Sequence, residues 1–234
     1  MSEVNQVMEW DEVYRGESDR IAGAPPWNIG EPQPEINALI ESGEIVGTVL
    51  DAGCGHAETS LKLAALGHTV VGLDLSPAAI AAAAKAAEER GLSDRATYEV
   101  ADISAFTGYD GRFDTIVDST LFHSLPVELR DGYLSSALRA AAPGAKYVVL
   151  VFDKSAFSYL PEGAPGPNGV DEPELRAAVS KHWEIDEIRP AFIHANIDLD
   201  QIEGLPEGVA LPEFGRDEKG RLKSPAWLLR AHKA

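Results

Sequence analysis

The residues best suited to chemistry lie in VLDAGCGHA (49–57). An apolar run there ends in Asp51, turns through Gly53 and Gly55, and leads into a helical pattern. Glycines at such a turn let the backbone approach a ligand, and the N-terminus of the next helix favours a negative group. Asp74 closes the following β-branched run 23 residues after Asp51, a separation suited to bonding the hydroxyl pair of a ribose. Two ligand classes share this plan. A dinucleotide site wants a third glycine three positions after Gly55, but Glu58 stands there and its charge repels a pyrophosphate. An acid at Asp51, ahead of the first glycine, suits a ligand with an ammonium group. S-adenosylmethionine has that ammonium, a carboxylate and no phosphate, so the loop, the two acids and the strand pattern together favour it. A nucleotide-cofactor oxidoreductase and a non-catalytic protein that only binds this donor are the alternatives.

These residues need a scaffold, and the surrounding pattern supplies one. Short β-branched runs at 45–53, 68–74, 96–103, 113–120 and 146–153 alternate with helical stretches at 57–66, 76–91 and 126–144. The second helix has Ser76 as N-cap, Pro77 in its first turn and Gly91 just past its end. Such alternation predicts an α/β fold, a doubly wound, mostly parallel sheet with helices on both faces. A Pro/Gly-rich loop at 159–173 has the length of a lid or binding edge. A helix at about 173–182 and strands at 183–195 and 224–233 follow, with a polar, irregular insertion at 196–223. A short helix at about 6–15 and a turn-rich segment at 22–34 come first. One domain suffices for the 234 residues: a cover at 1–44, a donor-binding core at 45–153, and a sheet edge with acceptor loops at 154–234.

Net charge narrows the partners. The chain carries −18, and the first fifty residues contribute −8 of it, with ten acids against two arginines. Such a surface repels phosphate backbones and anionic lipid, so neither nucleic acid nor a membrane is expected as a partner. No apolar run approaches the ~20 residues of a membrane span, the N-terminus lacks signal-peptide character, and a cytoplasmic location is expected. A single cysteine, Cys54, excludes an intrachain disulfide, and no His/Glu spacing suggests a metal. The oligomer expected is a monomer or a homodimer.

On these motifs, residues 45–153 resemble a class I (Rossmann-like) S-adenosylmethionine-dependent methyltransferase. DAGCGHA matches the donor loop, GLDLS (72–76) the ribose acid, VADIS (100–104) the adenine edge and FDTIVDSTLFH (113–123) the fourth-strand motif. The resemblance implies a seven-stranded sheet with an antiparallel C-terminal strand pair, a role that 183–195 and 224–233 fit. It also implies that Asp102 bonds the adenine amino group and Ile103 packs on the ring. Leu75 and Ser76 beside Asp74, and Asp118 with Ser119, would border the donor, with Cys54 as a small residue that fits the loop. EWDEVYRGE (9–17) and PPWNIGEPQP (25–34) are similar to the cover of small-molecule methyltransferases of the thiopurine methyltransferase and TehB-like type, and the whole chain resembles actinobacterial enzymes that methylate hydroxyquinolone-type heterocycles. The activity implied is methyl transfer to a small aromatic or heterocyclic acceptor at a hydroxyl oxygen.

Other candidates follow from position. Trp10 and Tyr14, four apart on one helical face, could close over the donor's methionine end, where an aromatic face attracts a sulfonium. Trp27, in a turn, could wall the pocket. His123 follows the fourth strand, where ligands bind in doubly wound sheets, and its ordinary pKa of about 6.5 suits it to take a proton from a hydroxyl. It could equally only shape the pocket. Phe122, Phe152 and Phe157, with Tyr159 and Phe192, fall at or just after strand ends and could line a cleft for a flat acceptor. His56 and His194 are weaker candidates. The Ser119 and Thr120 that follow Asp118 do not supply the acid cluster of a magnesium-dependent, catechol-type site.

Overall fold

A computed structural model describes residues 10–18, 25–159, 167–197 and 214–234. Its strands are β1 (Thr48–Ala52), β2 (Thr69–Asp74), β3 (Ala96–Val100), β4 (Phe113–Ser119), β5 (Ala141–Phe152), β6 (Glu184–Ala195) and β7 (Leu222–His232). They form one sheet in the order β3-β2-β1-β4-β5-β7-β6. The first five strands pair in parallel, and β7 runs antiparallel to both β5 and β6. The order reverses between β1 and β4, and in such sheets the crevice beyond the strands' carboxyl ends at that point is where ligands bind.

Helices cover both faces. The helices α1 (Pro34–Glu41), α2 (Glu58–Ala65) and α3 (Pro77–Glu89) lie over one face, and α4 (Arg130–Ala140) and α5 (Glu172–Val179) over the other. Strand side chains alternate between the two cores: Tyr147, Val149 and Val151 of β5 face α4 and α5, while Val148 and Leu150 face the opposite layer. Burial on both faces is why the central strands read as nearly continuous apolar runs. Among the described residues no helix is long and apolar enough to cross a membrane.

Three boundaries differ from the sequence expectation. The helix placed at 126–144 spans only Arg130–Ala140, preceded by a 3-10 turn at Val127–Leu129. Pro143 has no N–H to continue a helix. The chain instead joins β5 at Ala141, opposite Phe113, with a register shift before Lys146 pairs with Thr115. Lys233 Nζ donates to the carbonyls of Leu138 and Ala141, which takes up acceptors left over at that helix end. The strand at 96–103 stops at Val100. A helix not foreseen, α1, begins with Pro34 in its first turn and buries Ile36, Leu39 and Ile40. Of the helix expected at 6–15, residues 10–15 are helical and 6–9 lie outside the described residues, as does 198–213 of the insertion and 160–166 of the loop.

Candidate active site

The cavity at the switch point is built first by the glycine loop. Cys54 N donates to Leu73 O, which ties the loop to the end of β2. Gly53 and Gly55 adopt φ of +65° and +51°, where only glycine is relaxed. A Cβ on Gly55 would lie 2.6 Å from the Tyr14 hydroxyl oxygen, and one on Gly53 would lie 2.8 Å from Leu121 Cδ1. Positions 53 and 55 therefore carry no side chain because Leu121 and Tyr14 already press on them.

Three carboxylates border the cavity at strand ends, each anchored by one oxygen or by amides. Asp51 Oδ2 accepts from Ser60 N (3.1 Å) and Ser60 Oγ (2.6 Å), while Oδ1 takes no hydrogen bond from the described residues. Burial raises this carboxyl to about 7 despite the Ser60 bonds. Asp74 accepts from Gly55 N through Oδ2 and from Ser76 N through Oδ1, and burial raises its pKa as well. Asp102 Oδ1 accepts from Ser104 N and Oγ, leaving Oδ2 free. Among the described residues no lysine or arginine lines the cavity, and Glu58, held by Arg90 in a two-point ion pair, does. A phosphate-bearing cofactor would meet acids and no counter-charge. An ammonium, a ribose diol and an adenine amino group would each meet a carboxylate with unused lone pairs, so this chain's residues fit S-adenosylmethionine.

The cover closes this half. Asp11 Oδ1 accepts from Ser76 Oγ and Ala78 N at the start of α3, which docks residues 10–15 on that helix. Trp10, Tyr14 and Trp27 all line the cavity; Trp10 and Trp27 meet edge-on at 6.0 Å, and Tyr14 packs on His56 at 5.1 Å. Gly53, Cys54, Gly55, Leu75, Ile103 and Ser119 line it too.

The structure places several expected donor and acceptor contacts elsewhere. Asp118 is fully buried and does not reach the cavity: Oδ1 accepts from Leu121 N and Phe122 N, and Oδ2 from the Tyr133 hydroxyl. It caps the turn after β4. Ser76 is also fully buried, its hydroxyl donating to Asp11 and accepting from Ala79 N as a helix cap. Phe122 points into the core, with the Arg130 guanidinium 4.7 Å from its ring centre. Of the five aromatics expected as acceptor walls only Phe152 lines the cavity. Phe157 backs it edge-on at 4.9 Å, Tyr159 packs toward Phe214, and Phe192 is exposed beneath Lys223 Nζ. His194 is buried between Asp217 and Gln33 rather than in the cavity.

His123 does line the cavity, its ring tilted 44° against that of Phe152 at a centroid distance of 4.4 Å, but not in the state expected of a base. The Phe152 amide N–H donates to its Nδ1 at 3.2 Å. An amide can only donate, so the neutral ring carries its proton on Nε2, which has no partner among the described residues. Burial and the nearby Arg130 charge push the ring's pKa down to about 3, so it stays neutral.

Several lining residues carried no sequence signal: Gln33, Thr120, Leu125, Leu129, Pro167 and Ile193. Thr120 is the exception in hindsight. It has φ +78°, and it and Ala57 are the two non-glycine residues with positive φ among those described; both line the cavity. A β-branched residue held there is strained, and strain of this kind collects at functional sites. Among the described residues no group of three or more metal-ligating side chains occurs.

Comparison with known proteins adds to this geometry. Residues 49–144 match the family described as methyltransferase domain. The chain is 56% identical, over 96% of each sequence, to 2-heptyl-1-hydroxyquinolin-4(1H)-one methyltransferase of Mycobacteroides abscessus. A solved structure from work on conversion of a disulfide bond into a thioacetal group during echinomycin biosynthesis shares 35% identity at a TM-score of 0.79, covering 97% of this chain and 92% of that one. The 1,6-didemethyltoxoflavin-N1-methyltransferase of Burkholderia thailandensis, solved with its acceptor and S-adenosylhomocysteine, shares the fold at 20% identity and a TM-score of 0.62, over 99% and 89% of the two chains.

Proposed function

We infer, for a chain that belongs to the S-adenosylmethionine-dependent methyltransferases, that its acceptor is a small, flat, hydroxylated nitrogen heterocycle with an apolar substituent, methylated at oxygen. The observation that carries this reading is the continuity of one cavity: the acid-lined half at the ends of β1 and β2 runs into a half walled by Trp27, Leu125, Leu129, Phe152 and Ile193. The relative that acts on a 1-hydroxyquinolone, similar along nearly the whole chain, supports the same class.

When bound, S-adenosylmethionine supplies an electrophilic methyl group on a positively charged sulfur. In this reading Asp51 binds its ammonium, Asp74 the ribose diol and Asp102 the adenine amino group, with Ile103 against the ring. Trp10, Tyr14 and Trp27 exclude water and face the sulfonium. Methyl transfer of this kind needs chiefly alignment of two reactants, which the two halves of one continuous cavity provide. Residues 1–44 serve as cover, 45–153 as donor core and 154–234 as acceptor edge of one domain.

The acids around the cavity and the −18 net charge oppose a polyanion, which supports a small molecule over nucleic acid. The free, buried thiol of Cys54 is consistent with a reducing, cytoplasmic setting, for a monomer or a homodimer. The test is calorimetric titration with S-adenosylmethionine, S-adenosylhomocysteine and NADH, followed by a methyl-transfer screen over phenols, 1-hydroxyquinolones and thiols. Binding of the first two, no heat from NADH and a methylated hydroxyquinolone oxygen are expected. Methylation confined to thiols would overturn the acceptor assignment.

A further inference from the structure

His123 and the atoms around it restrict what the acceptor can be when it reacts. Its Nδ1 is occupied by the Phe152 amide. Its backbone carbonyl accepts from Asn168 N, and Arg130 Nη2 donates to Asn168 O, so main chain and ring are held from both sides. Among the described residues the ring nitrogen left without a partner is Nε2, on a ring that lines the cavity beyond the end of β4. To act as a base there, the ring would have to move its proton to Nδ1, against the N–H of Phe152.

We propose that His123 is a fixed hydrogen-bond donor: its Nε2–H holds the acceptor oxygen, which enters already as an oxyanion, so the enzyme selects heterocyclic hydroxyls acidic enough to ionise in water. This rests on the acceptor reading given above and narrows it. A 1-hydroxyquinolin-4-one is such a group, because its N–O⁻ charge is delocalised to the ring carbonyl; an ordinary phenol ionises far less readily.

The charge that bears on the ring agrees. Arg130, at the start of α4, is the charged side chain that bears on the ring, and a positive potential that opposes an imidazolium favours an oxyanion at the same place. Asp118 at the end of β4 is spent on Leu121 N, Phe122 N and Tyr133. Asp153 after β5 accepts from Ser155 N, and Lys154 is paired with Asp171 and Glu174. None of these offers a path for a proton from Nε2. The step balances without one. The acceptor's proton is lost to water before binding, an oxygen electron pair forms the O–CH3 bond, and the S–CH3 bond breaks with its pair going to sulfur. Oxyanion and sulfonium neutralise each other, and Nε2 keeps its proton throughout.

The test uses the full chain with S-adenosylhomocysteine and 2-heptyl-1-hydroxyquinolin-4(1H)-one as probe. Long-range 15N NMR of His123 should show the neutral Nε2–H tautomer, with donor product alone and with the probe present. The absorbance of the bound probe should be that of its anion at pH values where the free probe is largely neutral. In turnover, the pH midpoint of kcat/KM should follow the acceptor's own ionisation across 1-hydroxyquinolones bearing different ring substituents. His123→Gln, which keeps a neutral N–H donor, should retain activity within about tenfold, and His123→Ala should lose about 100-fold, as for removal of one oxyanion-hole donor. A bound probe in its neutral form, a ring protonated at Nδ1, or one midpoint shared by all acceptors and abolished in His123→Gln would overturn the proposal. Failure of every 1-hydroxyquinolone to bind or react would instead overturn the acceptor reading. The tautomer is still decided in that case, by the NMR of the product complex, and a variant that failed to fold would leave both wild-type spectra decisive.

Discussion

The donor half and the acceptor half of the cavity are built on opposite plans. The donor half's carboxylates come from one stretch of chain, from β1 to Asp102 just past β3, and backbone sets their placement: amides of Gly55, Ser60, Ser76 and Ser104 hold them and two glycines hold the turn, with Trp10 and Tyr14 of the cover closing over it. The acceptor half is assembled from five separated stretches that meet only in the fold, contributing Trp27 and Gln33, Leu125 and Leu129, Phe152, Pro167, and Ile193. Its framework is long-range. Gln33 Nε2 donates to His194 O at 2.9 Å and Gln33 Oε1 accepts from His194 N at 2.8 Å, while Asn196 N donates to Pro26 O. Charge extends the same clamp: His194 and Arg221 meet at Asp217, and Arg221 also reaches Glu31. The donor half is thus fixed by local chain geometry. The acceptor half depends on how the cover docks on β6, and it can vary without disturbing the donor.

If that division holds, breaking one half should leave the other intact. The largest effect is expected from Asp51→Asn. It keeps an acceptor for Ser60 but removes the charge facing the donor's ammonium. Donor affinity by calorimetry should fall about 100-fold, the worth of a charge-assisted hydrogen bond. Wild-type affinity should also depend on pH with a defined sign. With the carboxyl raised to about 7, it is protonated below that pH and donor binding must expel a proton. Affinity should therefore rise by up to about tenfold per pH unit toward pH 7, then level off, and Asp51→Asn should flatten the rise. Next comes Gln33→Ala, which unpins the cover from β6 and leaves the His194 amide and carbonyl without partners. At ~1–3 kcal/mol for each orphaned group, offset by local relaxation, the acceptor KM should rise about tenfold. Donor Kd should change less, within about threefold, since Asp11 still docks Trp10 and Tyr14 on α3 and Trp27, whose carbonyl Gln33 also holds, is the cover residue bordering both halves. An equal loss in both constants would show the two halves to be one unit.

The same contrast explains what could be read from the sequence. The strand–helix alternation and the donor loop were readable because each requirement is local: a turn that tolerates no side chain, a helix cap, an acid at a strand end. α1 was readable in principle, since Pro34 followed by Ile36, Leu39 and Ile40 has helical spacing. The missed contacts turned on which way a strand-end residue points. Asp51 and Asp118 end neighbouring parallel strands and are offset by one position, Ala52 pairing with Asp118. That offset sends Asp51 to the cavity and Asp118 into the core with Phe122. Nothing in DSTLFHS announces the parity. Gln33 was unreadable for a different reason: its partner, His194, is 161 residues away.

Asp118 therefore gives a control for Asp51. Its carboxyl is likewise raised to about 7 by burial, against about 4 in an unfolded chain. Between those values the folded state holds a proton that the unfolded state has lost, so this group's contribution to stability falls as pH rises from ~4 to ~7 and stays low above. Asp118→Asn retains an oxygen for the Leu121 and Phe122 amides and removes that dependence. Denaturant unfolding should find it ~1 kcal/mol more stable than wild type above pH 7, because the buried charge is removed, the two amide bonds survive, and the Tyr133 hydroxyl, which donates to Oδ2 in wild type, can turn to accept from the new Nδ2–H. Donor affinity should be unchanged. A loss of donor binding would return Asp118 to the site.

The smallest expected effect tests why a strained residue sits between the halves. Thr120 links β4 to the turn that carries His123, with its N–H on Leu150 O and its carbonyl accepting from Ser124 Oγ. Its φ of +78° is an arrangement that asparagine tolerates and a β-branched side chain does not. Glycine would relax the strain but lose ~0.5–1 kcal/mol to the greater freedom of the unfolded chain, leaving little net gain. Asparagine avoids that loss, so Thr120→Asn should stabilise the fold by about 0.5–1 kcal/mol, a rise in Tm of roughly 1–4 °C for a chain of this size. If threonine is retained for the acceptor's sake, the more stable variant should be the slower one. Its kcat should fall with donor Kd unaltered, because the Thr120 side chain borders the acceptor half near His123. A variant both more stable and fully active would mean that the strain serves the turn alone, and that the acceptor half, like the donor half, is shaped there by backbone rather than by the side chain.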